Sequence, residues 1–171
     1  ENTVIGSTTQ EDIMSEHENG VQKTDAPIAG LRALEFFDGK ALEFLRGDYP
    51  RIPGGMGAAV WFEVETTTEQ LDETMVYWAD KISNHNASIE DVWYAFDTGD
   101  LQEIKKFRHA ISYKVNEYIA SRGLTKLGTD TAVPAEFFNE YYLSAIKMVE
   151  NDGIEYVTYG HFGDCNLHLN I

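Results

Sequence analysis

Apolar residues recur along the chain with two periods, and these predict a succession of strands and helices after residue 29. Short apolar runs, or apolar residues at every second position, are typical of strands. Apolar residues three or four positions apart predict helices. The predicted strands cover residues 33–37, 58–64, 92–96, 154–159 and 167–171. The predicted helices are a short one after Asp38 and three longer ones that end near residues 83, 121 and 151.

Capping signals predict where these helices begin. Asp38 is a favourable N-cap residue for the short helix. Thr66 with Glu69, and Asp100 with Glu103, have the spacing of a capping box. The last helix is expected to begin at Pro134 and to bury Phe138, Tyr141, Ala145 and Val149.

The order of these elements predicts an α+β domain, with a largely antiparallel sheet and helices packed on one face. Residues 1–29 are acidic and poorly periodic, so no element is predicted there. Neither a dinucleotide-binding GxGxxG sequence nor a P-loop follows any predicted strand. Residues 30–171 are therefore predicted to form the folded domain.

Net charge limits the binding partners that are expected, and cysteine content bears on the cellular compartment. The 171 residues include 29 acidic and 13 basic ones, which gives a formal net charge of −16. Such a surface repels a phosphate backbone, so nucleic-acid binding is not expected. The longest uncharged apolar stretch, residues 52–62, is about half of what a membrane span needs. A single cysteine permits no internal disulfide, which is typical of a reducing compartment and favours a cytoplasmic protein.

The side chains best suited to chemistry are concentrated in residues 159–171. His161 and His168 lie seven positions apart, and the strand period places His168 and Asn170 on one face. Neutral imidazole is the commonest protein ligand of transition metals. Two histidines brought together by a strand break at Gly163-Asp164-Cys165 could supply two of the three protein ligands of a catalytic ion. The alternatives are polar strand residues on a solvated face, or histidines whose hydrogen bonds are made to the backbone.

The stretch Gly160-His161-Phe162-Gly163-Asp164-Cys165-Asn166-Leu167-His168-Leu169-Asn170 resembles the GHxGDGNxHxN motif of FAD-linked oxidases and dehydrogenases of the vanillyl-alcohol oxidase superfamily. More narrowly, it is similar to the C-terminal domain of D-lactate, D-2-hydroxyglutarate and glycolate dehydrogenases. The resemblance implies that His161 and His168 hold a divalent metal, usually zinc or manganese, and iron(II) also suits such ligands. Cys165 stands where the family mostly has glycine, so a turn with positive φ would be strained there. The alternative is that its thiol is a further ligand.

Two other segments carry the resemblance. Phe107-Arg108-His109-Ala110-Ile111 resembles the family's helical LR-x-x-I segment, whose arginine binds the substrate carboxylate. From the residues alone, Arg108 at the edge of an apolar helix face could clamp a carboxylate or simply extend to water. Residues 126–134 resemble a K-x-x-x-D-x-x-V-P segment in which a lysine also faces the substrate, which implies that role for Lys126. Asn170, on the strand face of His168, is the third candidate substrate contact.

The resemblance implies a fragment of a flavin-dependent 2-hydroxy-acid dehydrogenase. Residues 30–171 would be its substrate- and metal-binding domain, built of ferredoxin-like units and truncated before a glutamate that completes the metal site in the family. FAD would be bound mainly by a separate N-terminal domain, and this domain would cover the flavin ring. The expected cofactors are therefore FAD and a divalent metal, and the chain alone is expected to be inactive. No catalytic base is assigned, and a homodimer is left open.

Two other functions are compatible with the same residues. One is a non-catalytic ferredoxin-like module that binds a metal or a small acid or mediates assembly, since fold does not fix function. The other is a stand-alone metal hydrolase, which needs a third ligand, such as Asp164 or Cys165, and a general base from this chain. Lactate, glycolate and 2-hydroxyglutarate share a carboxylate and a hydroxyl, so the sequence does not choose among these substrates.

Overall fold

The computed structural model describes residues 2–8, 30–85, 87, 89–96 and 98–171. Its strands are β1 (Asn2–Thr8), β2 (Leu31–Asp38), β3 (Ala58–Val64), β4 (Trp93–Ala95), β5 (Thr131–Ala132), β6 (Val157–His161) and β7 (Asn166–Asn170). Its helices are α1 (Gly39–Leu45), α2 (Leu71–Asn84), α3 (Thr98–Ser121) and α4 (Phe138–Asn151). Short 3-10 turns cover Thr68–Gln70, Ile89–Asp91, Ala135–Phe137 and Phe162–Asp164.

The strands described form a single seven-stranded sheet in the order β4-β1-β3-β2-β6-β7-β5. Every neighbouring pair in this sheet is antiparallel. The prediction of an α+β fold with a largely antiparallel sheet is therefore confirmed. Strand β2 lies in the centre, because it pairs with β3 on one side and with β6 on the other.

Helices cover both faces of the sheet, so the prediction that they pack on one face is wrong. Phe36 and Phe37 are consecutive on β2 and belong to different hydrophobic clusters. The Phe37 ring lies 5.4 Å from Phe107 of α3, and the Phe36 ring lies 6.4 Å from Phe138 of α4. Because consecutive strand residues point to opposite faces, an uninterrupted apolar run requires cover on both.

We call the two sides of the sheet the α3 face and the α4 face. The α3 face carries Phe37 and Trp61 and packs against α1 and α3. The α4 face carries Phe36 and Leu167 and packs against α4. Helix α2 lies on the α4 face as well. Its Trp78 stacks on Phe62 of β3, with ring centroids 4.4 Å apart. Some of the partly buried residues beside this pair also pack against the cluster of the α4 face.

The extents of the helices agree closely with their predicted ends. Asp38 is the N-cap of α1, and its carboxylate accepts a hydrogen bond of 2.6 Å from the Ala41 amide. Helix α3 ends at Ser121, and Gly123 follows it with a φ of +62°. Helix α4 ends at Asn151, as predicted.

Neither predicted capping box forms. The Thr66 hydroxyl bonds to the Thr74 hydroxyl at 2.9 Å, and α2 begins at Leu71 without a side-chain cap. Helix α3 begins at Thr98, so Asp100 lies inside its first turn instead of at its N-cap. Sequence spacing was the only basis for both predictions, and it placed the caps at residues other than those that precede the observed helix starts.

The start and buried stripe of α4 also differ from the prediction. Pro134 precedes a 3-10 turn, and the α-helix begins four residues later at Phe138. The buried residues of this helix are Phe138, Tyr142, Ile146 and Val149. Tyr142 and Ile146 thus replace Tyr141 and Ala145, because a stripe that starts at Phe138 continues at four-residue steps.

Strand β1 was not predicted. It lies between β3 and β4 and pairs with both, from a segment that the sequence left unassigned. Its β-branched residues favour a strand, whereas Gly6 weakens the signal. Residues 9–29 lie outside the described part of the chain.

The buried carboxyl of Asp38 gives the domain a testable pH dependence. Asp38 is 2% exposed, and burial raises its pKa from 3.8 to about 6 against the opposing effect of the Ala41 amide. Because the pKa is higher in the folded state, its contribution to stability is complete below 3.8 and is lost as the pH rises through about 6. The substitution Asp38→Asn would keep the cap acceptor without the charge.

We therefore expect the stability of the wild type relative to Asp38→Asn to fall by about 2 kcal/mol between about pH 4 and about pH 7. Urea unfolding of both proteins across this range measures the difference. The same substitution at exposed Asp152, at the C-cap of α4, is the control for the loss of a carboxylate that is not buried. A difference between wild type and Asp38→Asn that does not vary with pH would contradict the expectation.

Candidate functional site

A cavity of about 560 Å³ lies on the α3 face of the sheet, between β2, β6, β7, helix α3 and the segment before β5. All five site residues predicted from the sequence line it: Arg108, Lys126, His161, His168 and Asn170. These residues come from one helix, one loop and two strands. The cavity therefore brings together groups that are up to 62 positions apart in the sequence, from 108 to 170.

The two histidines meet because the motif folds into a hairpin. Strand β6 ends at His161, a 3-10 turn follows, and β7 begins at Asn166. Tyr159 pairs with His168, so His161 lies two residues along and diagonally opposite His168 on the same face. The two imidazole rings are perpendicular, with centroids 5.2 Å apart.

Gly160 allows this hairpin to close. A Cβ at this position would lie 2.2 Å from the carbonyl oxygen of Asn166 and 3.0 Å from the Cα of Leu167. Both neighbours are backbone atoms of β7, which pairs with β6 here. A side chain would therefore have to push the two histidine-bearing strands apart.

Cys165 confirms one expectation and excludes the alternative. Its φ is +54°, the positive value that glycine adopts without strain. Its thiol packs on the α4 face among Phe162 and Leu167, on the opposite side of the sheet from the cavity. Burial, with smaller contributions from Asp164 and Glu136, raises the pKa of the thiol. Cys165 is thus not placed to be a ligand beside the histidines.

A carboxylate lies next to the Nδ1 atom of each histidine. Glu35 Oε2 is 2.7 Å from His161 Nδ1, and Asp130 Oδ1 is 3.6 Å from His168 Nδ1. Histidines that bind metals usually direct the other ring nitrogen to a carboxylate or carbonyl, which fixes the tautomer and the ring orientation. His161 has this arrangement, whereas Asp130 lies beside His168 Nδ1 beyond hydrogen-bond distance. Nε2 is the remaining nitrogen of each ring that could bind a metal.

Glu35 was not predicted as a site residue. It stands within the apolar stretch Ala33-Leu34-Glu35-Phe36-Phe37 of β2, and its side chain is 8% exposed. A charged residue in a buried strand needs partners, and that is the signal that could have identified it. The partners themselves lie far along the chain and leave no local pattern.

Arg108 donates hydrogen bonds to the same carboxylate. Its Nε lies 2.9 Å from Glu35 Oε1, and its Nη2 also contacts that oxygen. The guanidinium lies 4.8 Å from the centre of the Trp61 ring, and the side chain is 28% exposed. The alternative that Arg108 merely extends to water is therefore wrong. One edge of its guanidinium is engaged by the protein itself.

Lys126 and Asn170 complete the polar wall of the cavity. Lys126 Nζ is 3.4 Å from Asn116 Oδ1, an uncharged partner. Asn170 is 4% exposed, and its Nδ2 donates to the His168 carbonyl at 3.3 Å. The amide of Asn170 thus braces β7 as well as facing the cavity.

The side chains fit part of a divalent metal site. Two imidazoles that each have a carboxylate near Nδ1 are suitable ligands for zinc, manganese or iron(II). Among the described residues, however, no group of three or more His, Cys, Asp and Glu side chains is placed to hold an ion. His161 and His168, among the described residues, could supply at most two ligands, and a stand-alone metal hydrolase gains no support from them.

Residues 21–171 match the family model of FAD linked oxidases, C-terminal domain. The matched range includes the cavity and the motif of residues 160–170. The chain belongs to this family. As a FAD-linked oxidase C-terminal domain, it implies a parent flavoprotein with oxidoreductase activity and a partner domain that binds FAD.

No curated protein gives a significant match to the chain. Over the residues that the structure describes, none of the helices is both long enough and apolar enough to cross a membrane.

Proposed function

We propose that this domain supplies the substrate- and metal-binding side of a flavin-dependent 2-hydroxy-acid dehydrogenase, of the type that acts on D-lactate, glycolate or 2-hydroxyglutarate. The observation that carries the proposal is the meeting of Arg108 and Lys126 with His161 and His168 in one cavity. A 2-hydroxy acid presents a carboxylate and a neighbouring hydroxyl. The cavity offers a cationic side for the first and an imidazole pair beside it for the second.

Charge supports an anionic substrate. The chain has a net charge of −16, yet the formal charges that line the cavity cancel, with Arg108 and Lys126 against Glu35 and Asp130. A cleft that presents two cationic side chains therefore repels an anion less than the rest of the surface does. The volume of about 560 Å³ is within the range of small-molecule sites.

The residues of this chain would bind and orient the substrate. Arg108 and Lys126 would hold the carboxylate, the arginine through Nη1, the one guanidinium nitrogen that Glu35 does not engage. His161 and His168 would hold a divalent metal through Nε2, and a bound metal acts there as a Lewis acid toward the α-hydroxyl. Asn170 would contribute a polar contact from β7. The partner domain would bind FAD, which would supply the acceptor for the hydride.

The test uses the full-length protein under anaerobic conditions. D- and L-lactate, glycolate and D- and L-2-hydroxyglutarate are added singly while the flavin absorbance is recorded. We expect one of these acids to bleach the flavin and His161→Ala to slow the bleaching at least about 100-fold, as for loss of a metal ligand. His85→Ala, at the C-cap of α2 and outside the cavity, is the matched control and should bleach at the wild-type rate. A flavin that no acid reduces would contradict the proposal and favour a binding module.

A further inference from the structure

The Glu35 carboxylate joins the two halves of the cavity. Its Oε1 accepts from Arg108, and its Oε2 lies 2.7 Å from His161 Nδ1. Arg108 is 73 positions and His161 126 positions from Glu35 in the sequence. Oε1 therefore contacts Arg108, which is proposed to bind the substrate carboxylate, and Oε2 contacts His161, which is proposed to bind the metal.

Burial of the Glu35 carboxylate costs free energy, so its presence in this strand needs an explanation. The Glu35 side chain is 8% exposed, and its strand neighbours Leu34 and Phe36 pack on the opposite face. A buried ion pair often stabilises a protein less than an apolar residue of similar size would. Stability alone thus gives little reason for a carboxylate here, whereas holding two functional groups does.

The contact also fixes the chemistry of His161. A carboxylate only accepts hydrogen bonds, so a neutral His161 ring carries its proton on Nδ1 and a lone pair on Nε2. The neutral ring in this tautomer can bind a metal through Nε2. The same carboxylate engages Nε and Nη2 of Arg108, which holds the guanidinium plane through one edge.

We propose that Glu35 is a positioning residue, which selects the metal-binding tautomer of His161 and holds the guanidinium of Arg108 for the substrate carboxylate. The inference rests on the proposed function and adds to it a residue that touches neither substrate nor metal. Because Glu35 contacts both His161 and Arg108, a change at Glu35 is expected to disturb both partners.

The test is Glu35→Gln in the full-length protein. Glutamine keeps the size of the side chain, and its oxygen would face the donors of Arg108. Its amide NH₂ would then point at His161 Nδ1, which must become the acceptor. The proton moves to Nε2 in that tautomer, and the ring loses the lone pair that binds a metal.

Glu63→Gln is the matched control. Glu63 lies on the neighbouring strand β3, is 8% exposed, and its Oε1 is 3.5 Å from Lys105 of the same helix α3. It does not line the cavity. The two variants therefore remove the charge of a buried glutamate that pairs with α3, but only one of these glutamates contacts the site.

Three measurements compare these variants with the wild type. Equilibrium dialysis against Zn²⁺ measures metal binding by the histidines. The flavin difference spectrum with propionate, which has a carboxylate but no hydroxyl, measures binding of the carboxylate. Nitrogen-15 NMR of labelled histidine reports the tautomer of His161, assigned by its loss in His161→Ala. We expect Glu35→Gln to weaken Zn²⁺ binding about 10–100-fold, to weaken propionate binding, and to move the His161 proton to Nε2. Glu63→Gln should leave all three unchanged.

The outcomes separate this inference from the proposed function. Wild-type affinities for Zn²⁺ and propionate in Glu35→Gln, or equal losses in Glu63→Gln, would overturn the positioning role. So would a wild-type protein that binds no Zn²⁺, even if a 2-hydroxy acid reduces its flavin. Conversely, if Glu35→Gln alone loses Zn²⁺ and propionate while no 2-hydroxy acid bleaches the wild type, Glu35 keeps its role and the substrate class fails.

Discussion

Replacing Arg108 with alanine is expected to lower kcat/KM for the 2-hydroxy acid about 100-fold, since truncating one member of a desolvated charge pair costs about 3 kcal/mol. The same change should lower the free energy of unfolding by about 3 kcal/mol, because Glu35 would remain buried with only His161 beside it. Steady-state kinetics and urea unfolding of the full-length protein measure the two effects.

A second substitution identifies the cause of the lost stability. If an unpaired carboxylate is responsible, the double variant Arg108→Ala/Glu35→Gln should be more stable than Arg108→Ala alone. Arg122→Ala is the matched control, since Arg122 lies just beyond the C-terminal end of α3 and stacks on Tyr118 at 3.7 Å, outside the cavity. It should change both quantities little. Equal kinetics of Arg108→Ala and Arg122→Ala would be incompatible with a carboxylate clamp at Arg108.

Gly160→Ala is expected to damage both the fold and the site. The added methyl group would lie 2.2 Å from the Asn166 carbonyl oxygen, so β6 and β7 must separate locally. Overpacking of this kind costs about 1–3 kcal/mol, and more when backbone must move. Because His161 and His168 are held on these two strands, we expect weaker Zn²⁺ binding together with the lower stability. Urea unfolding and equilibrium dialysis measure the two quantities.

Gly163→Ala provides the comparison within the same motif. A Cβ on Gly163 would meet only the Cβ of Leu34 at 3.8 Å, an ordinary contact. Its stability and Zn²⁺ affinity should therefore be close to those of the wild type. If the two alanine variants behaved alike, the close approach of β6 and β7 would not be the reason for glycine at residue 160.

Local patterns predicted the parts of the site that lie close together in the sequence. His161, His168 and Asn170 follow from the strand period and one turn, and the structure places all three on the cavity wall. Glu35 escaped notice because its partners are 73 and 126 positions away. No period or spacing records such a contact, and only the pairing of β2 with β6 creates it.

The architecture, like the site, was predicted only as far as local sequence patterns allow. Apolar runs located β2 and β3, but the side of the sheet on which each helix packs depends on tertiary contacts. Phe36 and Phe37 show the difficulty, since two adjacent apolar residues require two covered faces and do not say which helix covers which. Strand β1 was missed because pairing on both edges stabilises a segment with a weak apolar signal of its own.

The central position of β2 determines when the cavity can exist during synthesis. Phe36 pairs with Gly160, so β2 keeps one unpaired edge until the residues of β6 have left the ribosome. Contacts between positions so distant in the sequence slow folding, because a long loop must close before they form. The strand β6 of the histidine hairpin pairs with that edge of β2. Assembly of the site therefore depends on closing the long loop between residues 37 and 159.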